Sequence, residues 1–217
     1  MANETGSHDH HHDEPAAVNS GVPGYYDMLE SAITELLIEK GLIEAQEIRR
    51  QIEVLDSRTP ALGAKVVARA WVDAEFRARL LANGRAACEE FGITFYDETL
   101  LIALENTEAV HNLIVCTLCS CYPRPVLGLP PDWYKASPYR ARAVSEPRKV
   151  LAEFGTIIPD EVEIRVSDST AAVRFLVLPR RPAGTEHYTE EQLAALVTRD
   201  AMIGVIPVTT NSTRASQ

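Results

Sequence analysis

The chain has 217 residues, 46% of them hydrophobic and 24% charged, with a formal net charge of −10 and only four cysteines. That length suits one good-sized domain plus an accessory element, and the acidic balance without any basic run excludes nucleic acid as the main partner. No apolar stretch reaches the roughly 20 residues of a spanning helix and the polar N-terminal stretch lacks a signal-peptide pattern, so no membrane partner and a cytoplasmic location are expected.

Residues 1–22 are polar and rich in Gly, Asn and His, the composition of a disordered tail. His8, His10, His11 and His12 lie there beside Asp9 and Asp13. They read as a metal-gathering tail or as a solvated remnant, and are left out of the site. Residues 23–58 are expected to form a helical hairpin or arm. Met28, Leu29, Ile33, Leu36 and Leu37 recur at helical spacing, Gly41 ends the first helix, and a second runs from about Ile43 to Leu55. Such an apolar stripe packs on the main domain or on another subunit.

From residue 59 to 208 the pattern is that of a mixed domain. Helices are expected over Ala64–Trp71 and Ala74–Phe91, with Asp73 as an N-cap and Gly84 interrupting the second. Cys88 falls in that helical segment, where a buried and inert cysteine is expected. Leu100–Leu104 reads as a strand, and His111–Val115 is a second apolar, β-prone run. Two prolines in Tyr122-Pro123-Arg124-Pro125 argue against helix or central strand there. Beyond Gly128–Tyr134, a turn entering a short helix, come helices over Tyr139–Val144 and Glu146–Phe154, the latter opened by Pro147. Glu161–Val166 alternates as a half-buried strand does. With Val173–Leu178 returning after the turn Ser167–Thr170, the pair is expected to form a hairpin. Thr189 with Gln192 has the form of a capping box for a helix to Val197, Ala201–Val205 is a last apolar segment, and 209–217 is a tail. The class is α+β: a helical N-terminal arm followed by a layered α-β-β-α metal-binding domain.

Three of the four cysteines crowd into Val115-Cys116-Thr117-Leu118-Cys119-Ser120-Cys121, on what reads as a loop at the end of a buried strand. Residues two or three apart seldom meet disulfide geometry, whereas clustered soft thiolates select transition metals. Chemistry alone leaves three readings open. A structural zinc site wants four ligands, with Cys88 as the fourth. An iron–sulfur cluster uses other spacings. A compact claw would hold one metal through Cys116, Cys119 and Cys121, with backbone nitrogens between the last two cysteines completing the plane.

The claw with Tyr122-Pro123, then Pro125-Val126-Leu127-Gly128-Leu129-Pro130-Pro131 and Trp133-Tyr134-Lys135, resembles the α subunit of nitrile hydratases. The likeness continues through Tyr139-Arg140-Ala141-Arg142, Glu146–Leu151, Glu161–Val166 and Val197–Asp200, over roughly residues 25 to 206. A close relative is thiocyanate hydrolase. The resemblance implies a low-spin trivalent metal held by Cys116 as axial thiolate, Cys119 as sulfinate, Cys121 as sulfenate and the amide nitrogens of Ser120 and Cys121. Thr117 resembles the cobalt type, so non-corrin Co(III) is expected rather than iron. The implied activity is hydration of a nitrile to the amide. The implied partners are one or two β-type chains, which in the family bring arginines to the oxidised cysteines, and an activator protein that delivers cobalt.

The sequence departs from the family's pattern in two places. Arg124 stands between the two prolines where most nitrile hydratases have Trp, as it does in thiocyanate hydrolase. It exchanges an aromatic wall for a cation with five donors, which suits a polar or anionic substrate, and joins Cys121 and Ser120 as a candidate catalytic residue. Asp97 stands where a glutamine is usual. His111 is expected to be a buried, hydrogen-bonded histidine.

Overall fold

The computed structural model describes residues 24–95 and 98–210. The tail expected over 1–22 with its histidines, Asp97, and residues 211–217 lie outside the described residues. Two compact units divide between Gln51 and Ile52.

In the first unit, α1 (Tyr25–Glu39) opens on a box in which the Gly24 amide donates to Asp27 Oδ2 at 2.8 Å. It ends before Gly41, whose φ is 66°. The helical spacing is as read, but α1 buries no residue: Tyr26 is 80% exposed, Ile33 49% and Leu36 48%. The second helix, α2 (Ala45–Ser57), begins two residues later than its pattern implied.

The second unit begins its core with α3 (Pro60–Val72), whose proline sits in the first turn, where its missing N–H costs nothing. Small residues Gly63, Ala64, Ala68 and Ala70 with Val66 and Val67 make its buried face. Asp73 caps α4 (Ala74–Ala82) by accepting from the Phe76 amide at 2.9 Å. The helical stretch expected over Ala74–Phe91, interrupted at Gly84, is two helices that part beside that glycine. Asn83 is extended and caps α5 (Gly84–Glu89), and a Cβ at Gly84 would lie 2.6 Å from the Leu101 carbonyl. Helix and strand approach each other there through bare backbone.

The strands are β1 (Leu100–Glu105), β2 (Val110–Val115), β3 (Glu163–Asp168) and β4 (Val173–Leu178). They form two parallel pairs. β1 lies beside β4 with Leu100 opposite Val173, and β2 beside β3 with Val110 opposite Glu163 and Val115 opposite Asp168. The hairpin expected of β3 and β4 does not form. Alternation specifies which face of a strand is buried and says nothing of its neighbour. The links between β1 and β2 and between β3 and β4 are alike. In each, a threonine amide donates to the first residue of the next strand at 2.9 Å, from Thr107 to Val110 and from Thr170 to Val173. Each link carries the chain from one sheet into the other, so two similar ribbons lie side by side and pair in parallel.

A second correction concerns Tyr122–Pro125, where helix was excluded. Arg124–Leu127 forms one turn, α6, with Pro123 as its N-cap and Pro125 within the first turn, the place where proline is tolerated. Short helices α7 (Asp132–Lys135), α8 (Ser137–Ser145) and α9 (Pro147–Glu153) follow. Trp133, Tyr139 and Phe154 meet edge to face, with centroids 4.8 to 6.3 Å apart. The Thr189–Gln192 box opens α10 (Glu190–Ala194), which ends three residues short of Val197 because Thr198 caps a new helix, α11 (Arg199–Ile203). Gly204 closes α11 in the left-handed region at φ 95°, pressed against the Asn112 carbonyl of β2. No helix among the described residues is long and apolar enough to cross a membrane. Mixed helix and strand is thus the architecture, with the buried strand β2 aimed at the cysteines.

Candidate metal centre

β2 buries His111 through Val115 and delivers the chain into Cys116, which is 1% exposed. Cys121 is half-buried and Cys119 exposed. All three sulfurs lie within 4.8 Å of one another, with 3.3 Å between Cys116 and Cys119 and 3.1 Å between Cys119 and Cys121. A disulfide needs about 2 Å, so these are free thiols in contact. The Cys119 amide donates to Cys116 Sγ at 3.3 Å. Hydrogen bonds from Cys121 and Cys116 lower the Cys119 thiol to about 7. Burial, together with the hydrogen bond to Cys119, pushes Cys121 up to about 12. One proton leaves this group readily and the next is held, an imbalance that a cation bound among the sulfurs would remove. Three touching sulfurs fit one soft or borderline metal ion.

Side chains from three other elements hold the loop. Asp168, at the end of β3 and opposite Val115, accepts from the Thr117 amide at 2.9 Å and from its hydroxyl at 2.5 Å. Tyr134 of α7 donates to the Cys121 carbonyl at 2.9 Å, and Arg140 of α8 to the Cys119 carbonyl at 3.3 Å. Tyr139 ties α8 to β2 by donating to the Ile114 carbonyl at 2.6 Å. The sequence reading assigned no role to Asp168, Tyr134 or Arg140. Two of them stand inside the recognised motifs, while Asp168 reaches the loop only through the β2–β3 register.

A cavity of about 340 Å³ opens beside Cys119, Ser120 and Cys121. Arg124, exposed at the start of α6, forms part of its wall together with Arg58 and Arg174, and no carboxylate lines it among the described residues. Three guanidinium groups on one wall contrast with the chain's overall negative charge. Arg174 also favours the thiolate of Cys121 through its charge.

Cys88 and His111 stand apart from this chemistry. Cys88 is fully buried in α5, its thiol pushed up to about 12 by burial, and it does not belong to the sulfur group. The zinc reading with Cys88 as fourth ligand is therefore excluded. His111 Nε2 lies 2.7 Å from the Gly204 carbonyl, and burial lowers its pKa. It is a neutral, structural histidine that joins β2 to the end of α11.

The chain matches the family described as "Nitrile hydratase, alpha chain" over residues 24–206. It is 57% identical over 182 residues to the low-molecular weight cobalt-containing nitrile hydratase subunit alpha of Rhodococcus rhodochrous, covering 83% of this chain and 88% of that one. Identity to the cobalt-containing nitrile hydratase subunit alpha of Pseudonocardia thermophila is 52% over 178 residues, covering 81% and 87%. Thiocyanate hydrolase subunit gamma of Thiobacillus thioparus is 42% identical over 191 residues, covering 83% and 79%. Among solved structures, recombinant thiocyanate hydrolase with partially modified cobalt centers superposes with a TM-score of 0.81 at 40% identity, covering 87% and 92%. An Fe-type nitrile hydratase variant from Comamonas testosteroni gives 0.79 at 42%, covering 86% and 91%. On the family match across the described fold and identities above one half, the chain belongs to the nitrile hydratase alpha-chain family.

Proposed function

We propose that this chain is the metal-bearing catalytic subunit of a cobalt-type nitrile hydratase, working in the cytoplasm as part of a hetero-oligomer with one or two β-type chains. The observation that carries the reading is three free thiols within 4.8 Å of one another, in a chain whose relatives are cobalt-containing nitrile hydratase alpha subunits. Cys116, Cys119 and Cys121 would hold Co(III) through sulfur, and Ser120 and Cys121 through their amide nitrogens. An activator protein would deliver the cobalt. When bound, the trivalent ion supplies Lewis acidity towards the nitrile.

The chain's own residues do the remaining work. Cys119 is carried as the sulfinate and Cys121 as the sulfenate, two steps of the thiol oxidation ladder. Cys121 lines the cavity, so the oxygen it would carry as the sulfenate would accept a hydrogen bond from an incoming water and orient it. Ser120, half-buried beside it, keeps its hydroxyl on the same wall. Arg124 offers donors to a polar or anionic part of the substrate.

A second reading, thiocyanate hydrolase, is favoured by Arg124 and by the guanidinium groups of Arg58 and Arg174 that share the cavity wall with it. Elemental analysis and intact mass of the purified complex test the metal reading. Near one cobalt per chain, with added oxygen on Cys119 and Cys121, is expected; zinc with unmodified thiols would sink it. Assays on aliphatic, aromatic and nucleoside nitriles and on thiocyanate then separate the two activities, since release of carbonyl sulfide marks the second.

A further inference from the structure

The cavity beside Cys119, Ser120 and Cys121 receives arginines from two distant elements. Arg124 enters from the first residue of α6. Arg174 enters from the second residue of β4, opposite Leu101 of β1, which lines the same cavity. Elsewhere on this acidic chain arginines are met by carboxylates: Arg69, Arg77, Arg79, Arg142 and Arg165 each have a glutamate oxygen within 3.0 Å. Among the described residues Arg124 and Arg174 have none. Arg174 donates through Nη1 to the Thr170 and Val173 carbonyls, contacts that fix the side chain without neutralising it. Its Nε and Nη2 have no hydrogen-bond partner among the described residues.

We propose that Arg124 and Arg174 form a two-armed grip for a carboxylate, with Arg174 as the specificity-determining residue, so that the preferred substrates are small organic nitriles that carry a carboxylate. The inference rests on the nitrile-hydrating reading above and names the substrate class of that site. A guanidinium presents its N–H donors as a planar fork that matches the two oxygens of a carboxylate. Arg174 is half-buried and already held by its own turn, so less side-chain freedom is lost when it binds. A carboxylate drawn into a cavity has to be met by charge and hydrogen bonds, and these two side chains supply both. A volume of about 340 Å³ lies at the small end of ligand pockets. A substrate with its nitrile at the cysteines and a carboxylate a few bonds away keeps both ends inside that one space.

The test uses the complex expressed with its partner subunit and cobalt. Cyanoacetate and its propionate and butyrate homologues are each compared with the matching neutral amide, which has nearly the same shape. The readout is the ratio of kcat/KM for carboxylate over amide, with kcat and KM separated. In wild type the ratio is expected to exceed one and to shrink as salt is raised towards about 1 M. Arg174→Gln should lower it about tenfold, chiefly through KM for the carboxylate, and Arg174→Lys, which keeps the charge without the fork, should fall between. Arg165→Gln removes an equal charge from a surface pair with Glu163 and should leave the ratio unchanged. If Arg174→Gln does not fold by circular dichroism, Arg174→Lys and the salt dependence decide. Neutral nitriles hydrated without preference for the carboxylate, or a ratio unmoved in a folded Arg174 variant, would overturn this inference alone. Hydration of no nitrile at all, with carbonyl sulfide released from thiocyanate, would overturn the nitrile-hydrating reading and the inference with it.

Discussion

Tyr134 is fully buried, and its hydroxyl is what satisfies the Cys121 carbonyl. Tyr134→Phe keeps the edge contact with Tyr122, at 5.1 Å between centroids, but leaves that carbonyl unpaired. The expected loss is about 1–3 kcal/mol, read from a denaturation midpoint. His111 provides a pH dependence whose direction is set by burial. Its folded-state pKa lies below the ordinary 6.5, so the unfolded chain binds the proton first as pH falls. Its contribution is complete above 6.5 and declines below that value, down to the folded pKa. The unfolding midpoint should therefore drop between pH 7 and pH 5, and His111→Gln should flatten the drop. At Arg124, removal of a charge-assisted donor by Arg124→Ala should cut kcat/KM for an anionic nitrile about tenfold relative to a neutral aliphatic one. The sulfur ligands could be read from the sequence because they are adjacent in it. The residues that hold their loop arrive from 13, 21 and 51 positions away, and no local pattern reports such an approach.

Helix starts were legible for the same reason that helix ends were less so. Asp73, Thr189 and Pro147 act through bonds or angles within a turn of their own position, whereas α4 stops where the chain must let Gly84 meet β1. The prolines around Arg124 and the alternation of β3 and β4 misled in one common way. Each states a local conformational preference, and the first turn of a helix or a parallel partner across the ribbon satisfies it equally well. Gly204 is the element-scale position most exposed to a test. Its φ of 95° and the Asn112 carbonyl against it leave no room for a side chain. Gly204→Ala should cost at least about 2 kcal/mol and separate α11 from β2, seen as a lower denaturation midpoint.

At the scale of the molecule, α1 displays Leu29, Ile33 and Leu36 to solvent, an apolar stripe that a soluble helix covers. If a β-type chain covers it, replacing all three by Ser should abolish co-purification of that chain while leaving the 52–210 unit folded by circular dichroism. The sequence showed the stripe but not its exposure, since periodicity marks a face whether or not anything lies on it. The depth of the three sulfurs has a chemical consequence as well. A peroxide diffusing from solvent meets Cys119 first and Cys121 next, and is shut out from Cys116. Geometry alone thus ranks the sulfurs by their exposure to damage and shelters the one proposed to remain a plain thiolate. Graded peroxide treatment followed by peptide mass mapping should find oxygen added in that order, with Cys116 spared until the fold is lost.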